Sequence, residues 1–275
     1  MSENDMEYHK LNRVELRDRF RAGRMPTEDD FMSLIESMVN SVDEGFDVSE
    51  DNGLAIRQQK ENGRLLSFFS SQTEYDPLWS ANVLKNTEKG ETTLNLKVPN
   101  MGVDESAMTF VGPLPSNVEN NSSKVRVGIG CTAPKSELDV NGSIASKGRV
   151  GHENEKFEVF ADGEWYDVTD VLTGCQCFEI VAGVGGVDGD GKFALTHAIA
   201  VNVFNSHPSV NVTQSYSGGR GSRIDVRWQK NKKNKFEFTL QLRVHGKFKN
   251  GNKIKVRYHL TQLWFDTQMN GSVIK

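Results

Sequence analysis

Hydrophobic residues recur with a helical period only near the start of the chain. From Phe31 onward they lie three and four positions apart, which is the spacing of one apolar stripe along a helix. Thr27 stands at the N-cap position of this helix, and Asp30 completes a capping box. The pattern predicts a helical segment over residues 1–45. We expect its stripe to anchor the protein or to join copies of it, with packing on the same chain as the alternative; the stripe residues are Phe31, Leu34, Ile35, Met38 and Val39.

Short alternating runs replace the helical period in residues 46–151. Runs such as residues 94–98 and 108–111 are typical of strands, and long polar loops separate them. Over roughly 100 residues the large apolar side chains are too few to fill the core of a self-contained domain. The segment therefore predicts β structure that several chains stabilise together by sharing one core.

Residues 152–269 show longer and more regular strand patterns. Apolar residues occupy every second position in residues 236–244 and 254–260, so one face of each strand is apolar. The predicted strands, the first over residues 156–161, fit an antiparallel β-sandwich of jelly-roll type. The fold class is thus mainly β, and residues 270–275 are expected to form a flexible tail.

Composition narrows the classes of function. The 275 residues carry a formal net charge of -4, which gives no general attraction to nucleic acid or to anionic membranes. No apolar run approaches the about 18 residues of a membrane span, and the first residues lack the apolar stretch of a secretion signal. We therefore expect a protein made in the cytoplasm, with no nucleic-acid partner and no membrane insertion.

No residue pattern indicates an enzyme. The histidines lack metal-binding spacings, and neither a nucleophile elbow nor a phosphate-binding loop is present. The odd number of cysteines argues against a disulfide framework. Asp188 and Asp190 resemble the start of a calcium loop, but the twelfth position holds Ile199 instead of glutamate. A hairpin turn is the preferred interpretation, a looser calcium site is the alternative, and we predict neither a cofactor nor a metal.

Aromatic residues of the C-terminal segment are candidates for a ligand surface. Ring faces stack on the apolar faces of sugars, although each ring is equally compatible with a place in the core. The candidate residues are Trp165, Tyr166, Tyr216 and Trp228.

The most specific pattern lies between residues 127 and 144. It resembles a motif of phage tail fibres and related bacterial surface fibres, although Cys131 stands where that motif usually has threonine. In that family the motif lies in intertwined trimeric regions of the fibre, so the resemblance implies an interwoven trimeric β shaft over residues 46–151. The matching residues are Val127, Gly128, Ile129, Gly130, Pro134, Leu138, Val140, Gly142 and Ile144.

A second pattern, over residues 16–40, is similar to the N-terminal helices of tail-fibre-like proteins in phages and phage-derived contractile injection particles. It comprises Leu16, Phe20, Gly23, Pro26, Thr27, Phe31, Leu34, Ile35, Ser37 and Asn40. The two resemblances imply a homotrimeric tail-fibre or baseplate-associated appendage that acts outside the cell after the particle is released. Its partners would be the baseplate or other particle proteins, and a cell-surface glycan is a candidate receptor. A carbohydrate-binding adhesin without a particle and a glycan-degrading tailspike are the alternatives.

Overall fold

The computed structural model describes residues 10–40, 43–61, 63–98, 106–114 and 124–272. Over these ranges the protein is mainly β, with two α-helices and several sheets, so the predicted class is confirmed. The chain divides into two compact units, residues 1–145 and 146–275. This division lies a few residues before the predicted boundary. Of the predicted tail, Asn270–Ser272 forms one 3-10 turn, and the last residues lie outside the described ranges.

Two short helices open the first unit, α1 (Arg13–Arg19) and α2 (Glu28–Glu36). Each begins with a capping box, in which a side chain before the helix and one in its first turn bond to each other's backbone N–H groups. These bonds satisfy donors that have no partner inside the helix. The boxes pair Asn12 with Glu15 and, as the sequence predicted, Thr27 with Asp30.

Helix α2 is shorter than its apolar stripe. It ends at Glu36, so the prediction that Met38 and Val39 are helical is wrong. The Ser37 hydroxyl donates to a carbonyl one turn earlier at 2.6 Å and accepts the backbone N–H of Leu11 at 2.8 Å. This long-range bond ties the end of α2 to the segment before α1.

The rest of the first unit is β structure. A hairpin of β1 (Phe46–Ser49) and β2 (Gly53–Ile56) forms a two-stranded sheet. The larger, central sheet has six strands in chain order, all antiparallel except for the last pair, which is parallel. Its strands are β3 (Leu66–Phe68), β4 (Trp79–Asn86), β5 (Glu91–Lys97), β6 (Met108–Pro113), β7 (Arg126–Ile129) and β8 (Leu138–Val140).

The second unit contains two antiparallel sheets. A four-stranded sheet has the order β12-β11-β10-β15, and a three-stranded sheet has the order β13-β14-β9. Single 3-10 turns lie at Arg220–Ser222 and Gly251–Lys253. The strands are β9 (Tyr166–Asp167), β10 (Cys175–Gly185), β11 (Phe193–Val203), β12 (Ser206–Ser217), β13 (Ile224–Lys230), β14 (Phe238–Val244) and β15 (Arg257–Gln262).

One hydrophobic core joins these two sheets. Alternation along β14 buries Leu240 and Leu242 completely, as the sequence pattern predicted for this strand. They belong to the same cluster as Ile180 on β10 and Ala200 on β11. The second unit therefore has the filled interior of an independent domain.

Residues 156–161, predicted as the first strand of this unit, do not form one. A single bridge between Phe160 and Lys255 pairs the segment, and Val159 accepts the backbone N–H of Val256 at 2.8 Å. The side chains of Val159 and Ala161 are nevertheless buried in the core. The alternation in this stretch thus reflects burial and not membership of a sheet.

The first unit lacks a comparable interior. Among its described residues, Ala81 and Val111 are the only buried hydrophobic residues. The hydrophobic core cluster lies wholly within the second unit. Buried apolar area supplies most of the free energy of folding, so the first unit is short of its main source of stability.

We predict that Leu242→Ala destabilises the protein by about 2–5 kcal/mol, because it opens a cavity in the core of the second unit. Leu195→Ala is the matched control, since Leu195 is 62% exposed. Urea unfolding followed by tryptophan fluorescence compares the two, with Trp228 reporting on this core. Equal losses for both variants would contradict the assigned core.

Candidate functional site

One face of the central sheet is apolar from edge to edge. Side chains alternate along each strand, and the register aligns residues of one face into rows across the sheet. The Phe68–Trp79 pair begins a row at one end of this face. The next two rows are Leu66, Ala81, Leu96, Met108, Ile129 and Val140, and then Val83, Leu94, Phe110, Val127 and Leu138.

This apolar face is largely open, although Ala81 within it is buried. Leu94 is 38% exposed, Phe110 is 36% exposed and Leu138 is 58% exposed. Six strands at about 4.8 Å spacing make the face roughly 24 Å wide, and its three rows span well over 10 Å along the strands. A contiguous apolar patch of a few hundred Å² on a folded chain usually marks an interface.

The opposite face of the same sheet is mostly polar and is covered, with Val111 as a buried apolar residue on it. Asn95 and Thr109 are buried there, and the Thr109 hydroxyl donates to the Asn95 side-chain oxygen at 3.0 Å. The connection between β7 and β8, residues 130–137, lies on this face, and Arg126 donates to the Pro134 carbonyl at 2.9 Å. A sheet with one solvated face normally turns its polar side chains to water. Here the chain covers the polar face and leaves the apolar one open.

The predicted shaft motif forms the last two strands of this sheet. Val127 and Ile129 on β7 pair with Leu138 and Val140 on β8, so all four side chains share the apolar face. Gly128 points to the covered face, where an added Cβ would lie 2.6 Å from the Cys131 carbonyl oxygen and 2.8 Å from its sulfur. A glycine is required there because the returning chain passes directly over the strand.

Other residues of the motif lie in or beside the connection between β7 and β8. Gly130 has φ +67°, a conformation that side chains rarely adopt, and it begins the crossover. Asn141 donates its backbone N–H to the Ile129 carbonyl at 2.9 Å and so extends the parallel ladder. The space around Gly142 is open. The motif therefore combines apolar residues on one face with a tight connection on the other.

The stripe on α2 is a second open apolar surface of the first unit. Phe31 is 52% exposed and Ile35 is 53% exposed, while Leu34 is half-buried. The helix is held to its neighbour by an edge-to-face contact between Phe20 and Phe31, with ring centroids 5.4 Å apart. An ion pair between Arg19 and Asp30 at 2.9 Å also joins the helices. These contacts orient α2 without covering its stripe.

The aromatic residues predicted as a ligand surface are dispersed over the second unit. Trp228 packs against Phe238 at 5.2 Å and against the core. Tyr216 lies half-exposed on the edge strand β12. The Tyr166 hydroxyl donates to Asp162 at 2.7 Å, and this bond raises the pKa of Tyr166 to about 12. The structure does not bring these side chains together into one platform.

Trp165 has two arginines against its ring. The guanidinium carbons of Arg227 and Arg243 lie 4.0 and 4.5 Å from the ring centroid. Asp225 accepts from Arg243 at 2.9 Å. Burial, followed by the charge of Arg243, lowers the pKa of Arg227. The ring face is thus occupied by the protein's own cations and is not free to stack on a sugar.

The Asp188–Asp190 loop is closed by its own backbone. Asp190 accepts the N–H groups of Val187 at 3.2 Å and Lys192 at 2.9 Å. Both carboxylate oxygens of Asp190 thus accept hydrogen bonds from the backbone of its own loop, as is typical of a turn. Among the residues that the structure describes, no group of three or more histidines, cysteines or acids is placed to hold a metal ion.

The two helices are too short to cross a bilayer, and the described residues contain no long apolar helix that would do so. No protein-family model matches the chain. No curated protein matches it either. The open surfaces described above are therefore interpreted from their geometry.

We predict that Gly128→Ala lowers the stability of the protein by about 1–3 kcal/mol, because its Cβ would overlap the Cys131 backbone. Gly142→Ala makes the same chemical change in the same motif where nothing lies within 4 Å, so it should shift stability by less than about 0.5 kcal/mol. Thermal unfolding at one fixed protein concentration distinguishes them. Equal melting temperatures for the two variants would contradict the close packing of the crossover on Gly128.

Proposed function

We propose that the protein is a homotrimeric structural appendage, a tail-fibre or baseplate-associated component of a phage tail or a phage-derived contractile injection particle. The open apolar face of the central sheet carries this proposal. A face that is apolar across six strands needs a cover, and Ala81 and Val111 are the only hydrophobic residues that the described part of the first unit buries. Further copies of the same chain bring an identical apolar face and supply that cover.

Sheet dimensions favour a small number of copies. If sheets roughly 24 Å wide meet at their edges, three of them stand roughly 7 Å from a common axis and four stand roughly 12 Å away. Side chains fill about 5 Å on each side of packed sheets, and large rings such as Phe110 and Trp79 reach further. Three faces can therefore close around a filled interior, whereas four would leave a channel.

The predicted shaft motif favours three copies over two. Sheet spacing alone does not decide between them, because two sheets packed face to face would also fill the space between them with side chains. The residues that resemble trimeric fibre shafts, however, lie on this face itself, with Val127, Ile129, Leu138 and Val140 contributing to its two long rows. This coincidence of the motif with the open face supports an interwoven trimeric shaft.

The remaining parts fit an appendage with two ends. The stripe of α2, with Phe31 and Ile35 exposed, suits docking to a baseplate or association of three helical segments. The second unit has its own hydrophobic core. We assign it the role of an exposed head with jelly-roll-like sheets, which meets a receptor or neighbouring particle proteins.

The assembly state tests the shaft directly. Light scattering coupled to size-exclusion chromatography should give about three times the 30.7 kDa of one chain. Phe110→Asp places a charge in the middle of the apolar face and should convert the trimer to a monomer, because an unpaired charge is strongly disfavoured in an apolar interior. Phe265→Asp is the matched control, since Phe265 is 77% exposed in the second unit, and it should leave the trimer intact.

Circular dichroism of Phe110→Asp separates loss of assembly from loss of the second unit, whose β signal should persist. A wild-type chain that is monomeric at micromolar concentration would overturn the shaft. A dimer would retain the interface but exclude three-fold closure.

The proposed particle is tested separately. We expect the protein to cosediment with intact particles when lysates of producing cells are fractionated on a density gradient and probed with an antibody. A truncation of residues 1–45 should remain at the top of the gradient while still containing both sheets of the second unit. Full-length protein that never enters the particle fractions would argue for a free adhesin.

A further inference from the structure

The second unit has a groove on the outer face of its four-stranded sheet. It lies across β15, β10 and the start of β11, with a volume of about 510 Å³. Gly183 and Gly185 form its floor, because outward-facing positions of β10 carry no side chain there. This volume is within the range of about 300–1,000 Å³ that is typical of sites for small ligands.

One wall of the groove is apolar. Phe193 is 59% exposed and Leu195 is 62% exposed. The Phe193 ring lies over Gly185, where an added Cβ would be 3.2 Å from a ring carbon. The glycine therefore lets the ring lie close to the sheet while its other surface remains open to a ligand.

The other wall carries the positive charges of Lys255 and Arg257. His259 completes it. Lys255 is paired with Glu158. Arg257 is exposed and has no ion pair with any residue in the described part of the chain. The Nδ1 atom of His259 is buried without a hydrogen-bond partner.

We infer that this groove binds a sugar that carries an anionic group. The apolar face of a sugar ring fits against Phe193 above the glycine floor. A carboxylate or phosphate on that sugar fits the guanidinium of Arg257, which offers paired N–H donors to such groups. The arginines beside Trp165 lack this character, because Arg243 is already held by Asp225 and the ring between them is covered.

Binding is measured by NMR titration of the full-length protein with glucuronic acid, glucose 6-phosphate and glucose. At least one anionic sugar should bind saturably in the millimolar range, and glucose should bind far more weakly. A preference for glucuronic acid identifies a carboxylate as the recognised group, and a preference for glucose 6-phosphate identifies a phosphate.

Arg257→Gln should weaken binding of the preferred sugar by roughly tenfold to a hundredfold, since it removes the charged partner. Arg220→Gln is the matched control, because Arg220 is an exposed arginine outside the groove and its loss removes the same charge. Phe193→Ala should weaken binding while keeping the preference for the anionic sugar.

Equal binding of glucose and both anionic sugars would overturn the inference, as would equal losses for Arg257→Gln and Arg220→Gln. The site requires only the second unit and does not depend on the proposed trimer. Light scattering on the same preparation therefore separates the groove proposal from the shaft proposal. A trimer that binds neither anionic sugar would reject the groove alone. A monomer that binds one of them would reject the shaft alone.

Discussion

Exposure of the apolar face on the central sheet is the constraint on which the rest of the protein depends. The period of two along each strand places every second side chain on that face, and the register joins these side chains into continuous rows. The chain then uses its own crossover connection to cover the opposite, polar face. Water in contact with rows of leucine, phenylalanine and valine is unfavourable, so the sheet favours any arrangement that brings a second apolar surface onto it.

The two units meet the requirement for a core in different ways. The second unit closes two sheets over side chains from both, among them Ile180, Leu240 and Leu242. The first unit has short strands and long connections, and its described residues bury hardly any hydrophobic side chains. The proposed function accordingly assigns assembly to the first unit and an exposed surface to the second.

In the predicted shaft motif, one short sequence contributes to the structure on both faces of the central sheet. Its alternating apolar residues add two strands to the open face, and its glycines allow the chain to pass closely over the other face. Parallel pairing of β7 and β8 requires a crossover connection between the two strands. Here that connection is short and consists of residues 130–137. Gly128 accommodates the returning Cys131, so a larger residue would push the connection away from the strand. The packing thus accounts for the glycine at position 128 and for the alternating apolar residues of β7 and β8.

The sequence alone predicted the mainly β class, the capping box at Thr27 and the burial of alternate residues in β14, because these depend on neighbouring positions. It also indicated that residues 46–151 have too few large apolar side chains for a self-contained core, which is a matter of composition. Tertiary contacts decided the rest. The backbone N–H of Leu11 bonds to Ser37 just after the end of α2. Residues 156–161 form their long-range backbone bonds with residues 248–256, which lie outside the strands. The pairing register of the central sheet aligns its apolar residues into rows. Contacts with Phe238 and its neighbours place Trp228 against the core of the second unit. Each depends on contacts between residues far apart in sequence, which no local pattern encodes.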